Sequence, residues 1–492
     1  MLDGWPPLAW VAECRAGEGS VAVWHGARVE VRDDWFAEAT WDGDFAAGDF
    51  DRTDAIFGSG GRLRSEGICF VGSASTVDRL HALPFDAGVR VSNTLPGLLQ
   101  VSGASLDPAD GSFYARLGSV VQGLDDYERF LPTSLGALEL RYCADFCWDG
   151  QRLARRDKPQ PQRDFARFEA YRAFLVETTA RLARNLADPA RAHRYEMIGT
   201  LSRGYDSPTV AVIAREAGLE RVFCFDRARD GGDDRGVEIA ERLGLEISVI
   251  ERDAWRRQPL AEVPYLAADA KGEDVAFEAA AGLLAGRALL SGFHGGRAWA
   301  KRQVDPRPLA RGDRSGLSLC ETRLWHGFLH LPLPYLGARQ SGDLAALGAS
   351  TAMRPWDVPG DYSRPICRRI VEEAGVPREA FGTKKQATST LFRAGREPFA
   401  EASERDFEAW LRERGAAWWR RGRLRPRQLG PPETFEPLRR AALAALRLGA
   451  RGPLWGAGQR ASEVAVDLGR GYRFAFPWAV DRAMRRYLQS GR

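Results

Sequence analysis

The chain has 492 residues, 44% of them hydrophobic and 28% charged, with a net charge of +4. That length allows two or three domains around a large core, and so small a net charge implies no strong whole-protein field. Seven cysteines in a chain this long do not make a disulfide framework, which leaves the cytoplasm as the default compartment.

The opening MLDGWPPLAWVAEC carries an early acid and no basic region ahead of an apolar run, so it does not read as a secretory signal. Residues 1 to about 150 read as mostly β: Val21 to Val31, Gly67 to Ala74 and Leu138 to Gly150 alternate or are β-rich between Gly, Asp and Pro. FGSGGRLRSEG lacks the Lys-Ser/Thr ending of a phosphate loop and reads as a hairpin turn. In VSNTLPGLLQVSG a helix starts, with Asn93 or Thr94 as its cap and Pro96 nearby. Cys143 and Cys147 have no second ligand pair near them, so buried thiols are expected there rather than zinc.

The polar, Pro-containing stretch Arg155 to Asp164 reads as a linker. Phe165 to Ala187 carries apolar residues at helical spacing. An α/β alternation follows: strand Tyr195–Leu201, helix Ser207–Ala217, strand Arg221–Phe225, a helix near Asp234–Leu243, strand Glu246–Ile250, and a later buried strand Arg287–Ser291. Val275 to Gly292 contains Glu278 and Arg287, and reads as a buried helix and strand rather than a membrane span. The last third looks helical, broken at Arg423 to Pro437. The expected fold is α/β, a doubly wound parallel sheet with a mostly β N-terminal domain and a helical C-terminal part. The expected division is 1–155, 165–400 and 401–492.

The segment YEMIGTLSRGYDSPTVAVIAREAG (Tyr195 to Gly218) places Ser202, Arg203, Gly204, Tyr205, Asp206 and Ser207 between a buried strand and a helix. Such a loop offers backbone N–H groups and hydroxyls to an anion at the carboxyl edge of a parallel sheet. Ser202 and Ser207 supply hydroxyl donors, Gly204 permits close backbone approach, and Asp206 would face phosphate only through a metal or would brace the loop. The alternative is a plain turn whose Ser or Asp caps a helix.

The loop resembles the Ser-Gly-Gly-x-Asp-Ser pyrophosphate loop of enzymes that split ATP between its α- and β-phosphates. The features that follow resemble, in order, the asparagine synthetase family. They are Asp233 to Asp253, Ala288 to Trp299 at the place of a Gly-Gly-Asp loop, Glu321 to Ala338 with its Glu-x-Arg, and the late helix and Lys-containing loop Ser363 to Thr388. The resemblance covers about 165–400, and the N-terminal region looks like a reduced glutaminase domain. It implies a Rossmann-like ATP pyrophosphatase fold of the PP-loop type and an ATP-dependent amide ligase. A carboxylate would become an acyl-adenylate with loss of pyrophosphate, and an amine would then displace AMP.

By that resemblance ATP and Mg²⁺ are the cofactors. Ser202, Arg203, Gly204, Asp206 and Ser207 would hold the β,γ-phosphates, with Asp206 on the metal and Phe225 and Asp226 near the adenosine. Lys384 or Lys385 would steady the α-phosphate. Glu321 would orient or deprotonate the nucleophile with Arg323 behind it, or the two would form a structural pair. The partners implied are a small-molecule carboxylate and an amine or ammonia donor; a homo-oligomer is compatible, and neither a membrane nor nucleic acid is expected.

The chain departs from the family at four places. Leu2 follows the initiating Met where the family's glutaminase has a Cys, so glutamine hydrolysis is not expected. Arg203 replaces the first Gly of the loop, at a cost of roughly 1 kcal/mol if the site needs φ > 0. No carboxylate stands at Gly296, where the family's acidic Mg²⁺ ligand would fall; Asp230, Asp233 and Asp234 are the candidates to compensate. His326 and His330 have zinc-like spacing, but Gly327, Pro332 and Pro334 argue against a regular helix. Two further readings therefore stand beside the ligase. One is a pseudoenzyme or nucleotide-binding module of the same fold. The other is an RNA-modifying relative using the basic, Trp-containing run Arg412 to Arg427, where Trp418 or Trp419 would otherwise pack inward.

Overall fold

The computed structural model describes residues 1–303, 305–360, 362–392, 397–420 and 472–488. The strands of the first part are β1 (Trp10–Arg15), β2 (Val21–His25), β3 (Glu30–Val31), β4 (Trp35–Trp41), β5 (Ile56–Arg64), β6 (Gly67–Val71), β7 (Leu80–Phe85), β8 (Gly88–Ser92), β9 (Phe130–Thr133), β10 (Gly136–Arg141), β11 (Ala144–Trp148) and β12 (Leu153–Asp157). They form two antiparallel sheets, ordered β2-β1-β8-β7-β10-β9 and β12-β11-β6-β5-β4-β3. Trp10, Leu80 and Val91 of the first meet Phe36, Phe70 and Phe146 of the second in one buried cluster. The Trp10 ring lies edge-on to Phe36 at 5.0 Å and stacks on Phe70 at 6.1 Å.

The hairpin turn expected in FGSGGRLRSEG falls at the end of that segment, between Arg64 and Gly67, and the glycines before it lie inside β5. At Gly58 (φ +96) a Cβ would come within 2.1 Å of the Glu38 carbonyl oxygen, so the glycines let β5 press against β4. Cys147 is not a free thiol: it stands opposite Cys69 in the β6–β11 register and is disulfide-bonded to it, while Cys143 stays free and buried. The cap at Thr94 holds. Helix α1 (Leu95–Ser102) begins where the Gly97 N–H donates to the Thr94 hydroxyl at 3.2 Å, and it ends on Gly103 at φ 70.

The second part is built on five parallel strands, β13 (Glu196–Thr200), β14 (Arg221–Phe225), β15 (Glu246–Ile250), β16 (Arg287–Ser291) and β17 (Leu329–Pro332), ordered β15-β14-β13-β16-β17. The chain steps outward from β13 and then returns to its other side, so the order reverses beside β13. In open parallel sheets ligands sit at that reversal, outside the carboxyl ends. The helices used below are α2 (Phe168–Leu186), α3 (Asp206–Glu216), α4 (Val237–Leu243), α5 (Val263–Asp269), α6 (Leu319–His326), α7 (Pro365–Glu373), α8 (Glu401–Arg420) and α9 (Ala475–Met484). α3 packs on β13, β16, α2 and α7. Among the described residues no helix is long and apolar enough to cross a membrane.

The two parts share a buried seam. β4 and β5 lie against β17. Arg323 of α6 donates from Nη1 to Glu38 Oε2 at 2.5 Å, from Nη2 to Glu38 Oε1 at 3.1 Å and from Nε to Asp78 Oδ1 at 2.6 Å. α9 packs on α5 and α1, and the Tyr487 hydroxyl lies 2.9 Å from that of Thr94. Breaking a buried ion cluster by removing one partner strands the others without compensation. Arg323→Met should therefore lower unfolding stability by about 3–5 kcal/mol. Urea denaturation followed by tryptophan fluorescence measures it, and a loss under 1 kcal/mol, about the worth of a surface pair, would count against the seam.

Candidate functional site

The carboxyl ends of β13, β14 and β16 open into a cleft of about 710 Å³. Its floor is the Thr200–Ser207 loop; Phe223, Phe225 and Phe277 form one wall and Ser291 to Arg297 another. Pro208 follows Ser207 in the first turn of α3, where a missing N–H costs nothing, and no side chain caps that turn. The N–H groups at its start are left for the cleft.

The loop is braced by its own hydroxyls. The Ser202 N–H donates to Ser207 Oγ at 2.9 Å, the two hydroxyl oxygens are 3.0 Å apart, and the Gly204 N–H donates to Ser202 Oγ at 3.2 Å. Arg203 keeps a negative φ, so it carries none of the expected backbone cost. Its N–H donates to Asp234 Oδ1 at 3.0 Å, its Nε reaches the Ala380 carbonyl at 3.4 Å, and its side chain does not line the cleft. Beneath the loop, buried Tyr205 accepts from Arg368 Nη2 at 2.7 Å.

Asp206 is only partly satisfied. Its Oδ1 is sealed from solvent without a hydrogen-bond partner. Burial pushes its pKa up to about 6; Arg364, Lys385 and the Gly296 N–H pull against that, and Asp313 adds to it. Gly292 and Gly295 are pressed against it: a Cβ at Gly295 would lie 2.6 Å from Asp206 Cγ. An orphaned, buried carboxylate oxygen suits a hard divalent cation.

Six cations line the same cleft: Lys301 pairs with Asp357 at 2.9 Å and Arg311 donates to the Thr76 hydroxyl at 3.0 Å, which leaves Arg297, Arg302, Arg364 and Lys385. None of these four makes an ion pair among the described residues; Arg364 donates only to carbonyls, those of Ser363 and Gly296, each at 3.0 Å. Lys385 is carried on a strap tied down by buried Arg252, whose Nε donates to the Thr388 carbonyl at 3.0 Å, and by the Gly382 N–H, which donates to the Arg203 carbonyl at 2.8 Å. Lys384 points elsewhere, to Asp230 at 3.2 Å on the surface.

Several expected residues lie outside the cleft. Glu321 is fully buried at the seam, where its Oε1 accepts the Leu95 N–H at 2.8 Å and its Oε2 the Thr94 hydroxyl at 2.9 Å. It caps α1 and reaches no open space, and its neighbour Arg323 pairs with Glu38 and Asp78 instead of with it. Phe225 lines the cleft, whereas Asp226 turns away to accept the Arg252 N–H at 2.8 Å and Arg227 Nη1 at 2.7 Å. His326 Nε2 lies 2.9 Å from Glu278 and His330 Nε2 2.7 Å from Ser291, so the pair shares no ligand. Among the described residues no group of three or more His, Cys, Asp or Glu gathers as a metal site.

Arg364 and Asp313 reach the cleft without having been singled out for it, and His294 lines it from the Ala288–Trp299 loop expected there. His294 has φ 75, stacks on Tyr335 at 4.5 Å, and is pushed down to about 3 by burial and Arg311, so its ring is neutral. A non-Gly residue in that conformation after a strand end is a structural signal with no sequence counterpart.

The position of Glu321 sets a pH dependence. Burial raises its pKa to about 7. The unfolded chain ionises near the ordinary value while the native state keeps its proton, so stability falls as pH rises from about 4.5 to 7 and then levels off. Glu321→Gln keeps an acceptor for Leu95 and removes that share, about 3 kcal/mol. Melting temperatures from pH 4.5 to 8 should decline less steeply in the variant than in the wild type; parallel curves would show that Glu321 does not titrate in this window. Compared with known proteins, the chain matches no family model and no curated protein.

Proposed function

We propose that the cleft binds ATP through its phosphates and that the protein activates a carboxylate as an acyl-adenylate for amide formation. One observation carries the reading. An uncapped helix start with two loop hydroxyls sits at the reversal of a parallel sheet, opposite Lys385 and Arg364, which have no acidic partner among the described residues. Concentrated positive charge around exposed N–H groups suits a polyphosphate. The strand order supports the finer reading of the fold as a doubly wound, Rossmann-like sheet of the ATP pyrophosphatase type.

In this reading the Ser202 and Ser207 hydroxyls and the first N–H groups of α3 hold the departing β,γ-phosphates. Lys385 and Arg364 bear on the α-phosphate, where charge accumulates as the carboxylate oxygen attacks phosphorus and pyrophosphate leaves. The Phe223, Phe225 and Phe277 rings form the apolar wall for the adenosine. Mg²⁺, when bound at Asp206, would neutralise phosphate charge. The amine then attacks the acyl carbon and AMP departs. Lys385 keeps the catalytic role expected of it, while Lys384 and Glu321 have none in this scheme.

Nucleotide binding without turnover is the second reading. It is favoured by the missing carboxylate at Gly296, where the Arg364 guanidinium lies instead. No observation favours an RNA-modifying enzyme. In the described part of α8 the arginines pair with acids one turn back, Arg405 with Glu401 and Arg412 with Glu408, and Arg414 pairs with Asp481. Residues 421–427, the break at Arg423–Pro437 and the side chains of Trp418 and Trp419 lie outside the described residues.

Calorimetry with ATP, with and without Mg²⁺, tests the reading. Wild type should bind ATP, and the double variant Asp206→Ala, Ser207→Ala should bind it at least about tenfold more weakly, a difference of about 1.4 kcal/mol. No binding by wild type would overturn it. Binding without pyrophosphate release from any of a panel of carboxylic and amino acids would leave the second reading in its place.

A further inference from the structure

We propose that the first part of the chain sets one wall of the cleft, with Arg311 as the positioning residue. Through it Thr76 fixes the turn Arg311–Ser315 and, with that turn, the Arg297 guanidinium that meets the carboxylate substrate. The substrate's class rests on the ligase reading; the hold of Thr76 on the wall does not.

Thr76, Arg311 and Tyr335 form a buried node between the two parts. The Thr76 and Tyr335 hydroxyl oxygens lie 2.5 Å apart, and Arg311 Nη1 donates to both, to Thr76 at 3.0 Å. Arg311 Nε donates to the Asp313 carbonyl at 3.1 Å and Nη2 to the Ser315 carbonyl. One guanidinium thus closes its own turn and ties that turn to the first part. All four acceptors are neutral. An arginine cannot shed its charge when an acceptor is lost, so each of these bonds matters to where the group sits.

The chain before and after Arg311 is laid on the first part as well. The Leu124 N–H donates to the Pro308 carbonyl at 3.0 Å, and the Arg311 N–H to the Val121 carbonyl at 2.9 Å. Gly123, at φ 106, admits this approach, since a Cβ there would lie 3.1 Å from the Pro308 carbonyl oxygen. Arg314 lies over the Tyr114 ring at 3.9 Å and donates to the Tyr114 carbonyl at 3.0 Å. Thr76 stands two residues before Asp78, which Arg323 holds, so the anchor is part of the seam.

What this segment carries belongs to the cleft: Arg311, Gly312, Asp313 and Ser315 line it. The backbone at Gly312 presses on Arg297, where a Cβ would lie 3.2 Å from Nε. From the other side the Tyr335 ring stacks on His294 at 4.5 Å. The node therefore bears on both ends of the stretch His294–Arg297. The phosphate loop is independent of it. The loop's bonds go to its own hydroxyls and to Asp234, Ala380 and Gly382, all in the second part. An anion at the loop should not feel Thr76, whereas a carboxylate facing Arg297 should.

Hydrogen–deuterium exchange of the full chain, read by mass spectrometry beside ATP affinity and pyrophosphate release, tests the assignment. Thr76→Val removes the hydroxyl at nearly equal volume. It should speed exchange at the Arg311 and Ser315 amides at least about fivefold, the worth of one buried hydrogen bond, and leave Ser202 to Gly204 unchanged. For the acid of the panel that wild type turns over, KM should rise at least about fivefold while ATP affinity stays within about twofold. Thr76→Ser, which keeps the hydroxyl, should behave as wild type. If circular dichroism shows Thr76→Val unfolded, Tyr335→Phe, which keeps the ring on His294 and removes the other hydroxyl, takes its place. Unchanged exchange at the turn overturns the proposal, whatever the nucleotide result. An equal effect on the loop or on ATP affinity shows general loosening and overturns it too. Faster exchange with an unchanged KM overturns the role of Arg297. A wild type that binds no ATP or turns over no acid removes that role together with the ligase reading, while the exchange pattern still decides whether Thr76 holds the wall.

Discussion

Arg323 is the residue on which the arrangement turns. A guanidinium taken out of water costs several kcal/mol unless every donor is met in good geometry. Here Glu38, on a strand of the antiparallel pair, and Asp78, in the loop beyond it, meet a helix that leads directly into β17. The edge of the parallel sheet is thereby set against β4 and β5. Glu321, two residues earlier on the same helix, reaches across the seam to the start of α1. Burying such charges stabilises less than an apolar contact of equal size would, but it admits very few alternative dockings. The consequence is felt at the cleft, whose far wall is carried by the chain between β16 and this helix.

Within the cleft the electrostatics run the opposite way. At the seam two carboxylates meet the Arg323 guanidinium, whereas in the cleft Arg297, Arg302, Arg364 and Lys385 have no acid of their own among the described residues, and Asp206 has one sealed oxygen unmet. Groups like these are expensive in an empty fold and are retained where a ligand supplies the missing half. The ligand we propose for them is a dense anion. The loop sequence alone says less, since Ser and Asp before a helix are common caps. In this loop they cap nothing: Ser207 and Ser202 bond to each other across the turn and leave the helix start open.

Much of the parallel sheet was legible because apolar runs of five residues bounded by Gly, Asp and Arg have few other readings. Arg221–Phe225, Glu246–Ile250 and Arg287–Ser291 lie where the sequence pattern places them. β17 was not legible: Leu329–Pro332 is four residues, ends in proline, and is a strand only because β16 stands beside it. The Cys69–Cys147 bond was hidden for a similar reason, its partners being 78 positions apart and neighbours only through register. The place of Glu321 was not legible because an acid beside an arginine looks the same in sequence whether it faces a substrate or a helix start. Lys384 and Lys385 differ only in which side of a strap they leave, and sequence carries no information about that.

Arg203 and Gly296, which look like damage to the loop and to its metal ligand, have different consequences in three dimensions. Arg203 sits at a negative φ, its N–H is taken by Asp234 and its side chain lies outside the cleft, so the substitution costs the backbone nothing and puts no new charge on the phosphates. Gly296 is different, because removing a carboxylate there changes the charge around Asp206. Arg364 brings a guanidinium to that side, its Nη2 bonded to the Gly296 carbonyl at 3.0 Å. Under the proposed nucleotide reading, a phosphate chain held by the loop would meet an arginine at the place where a metal ligand had been expected.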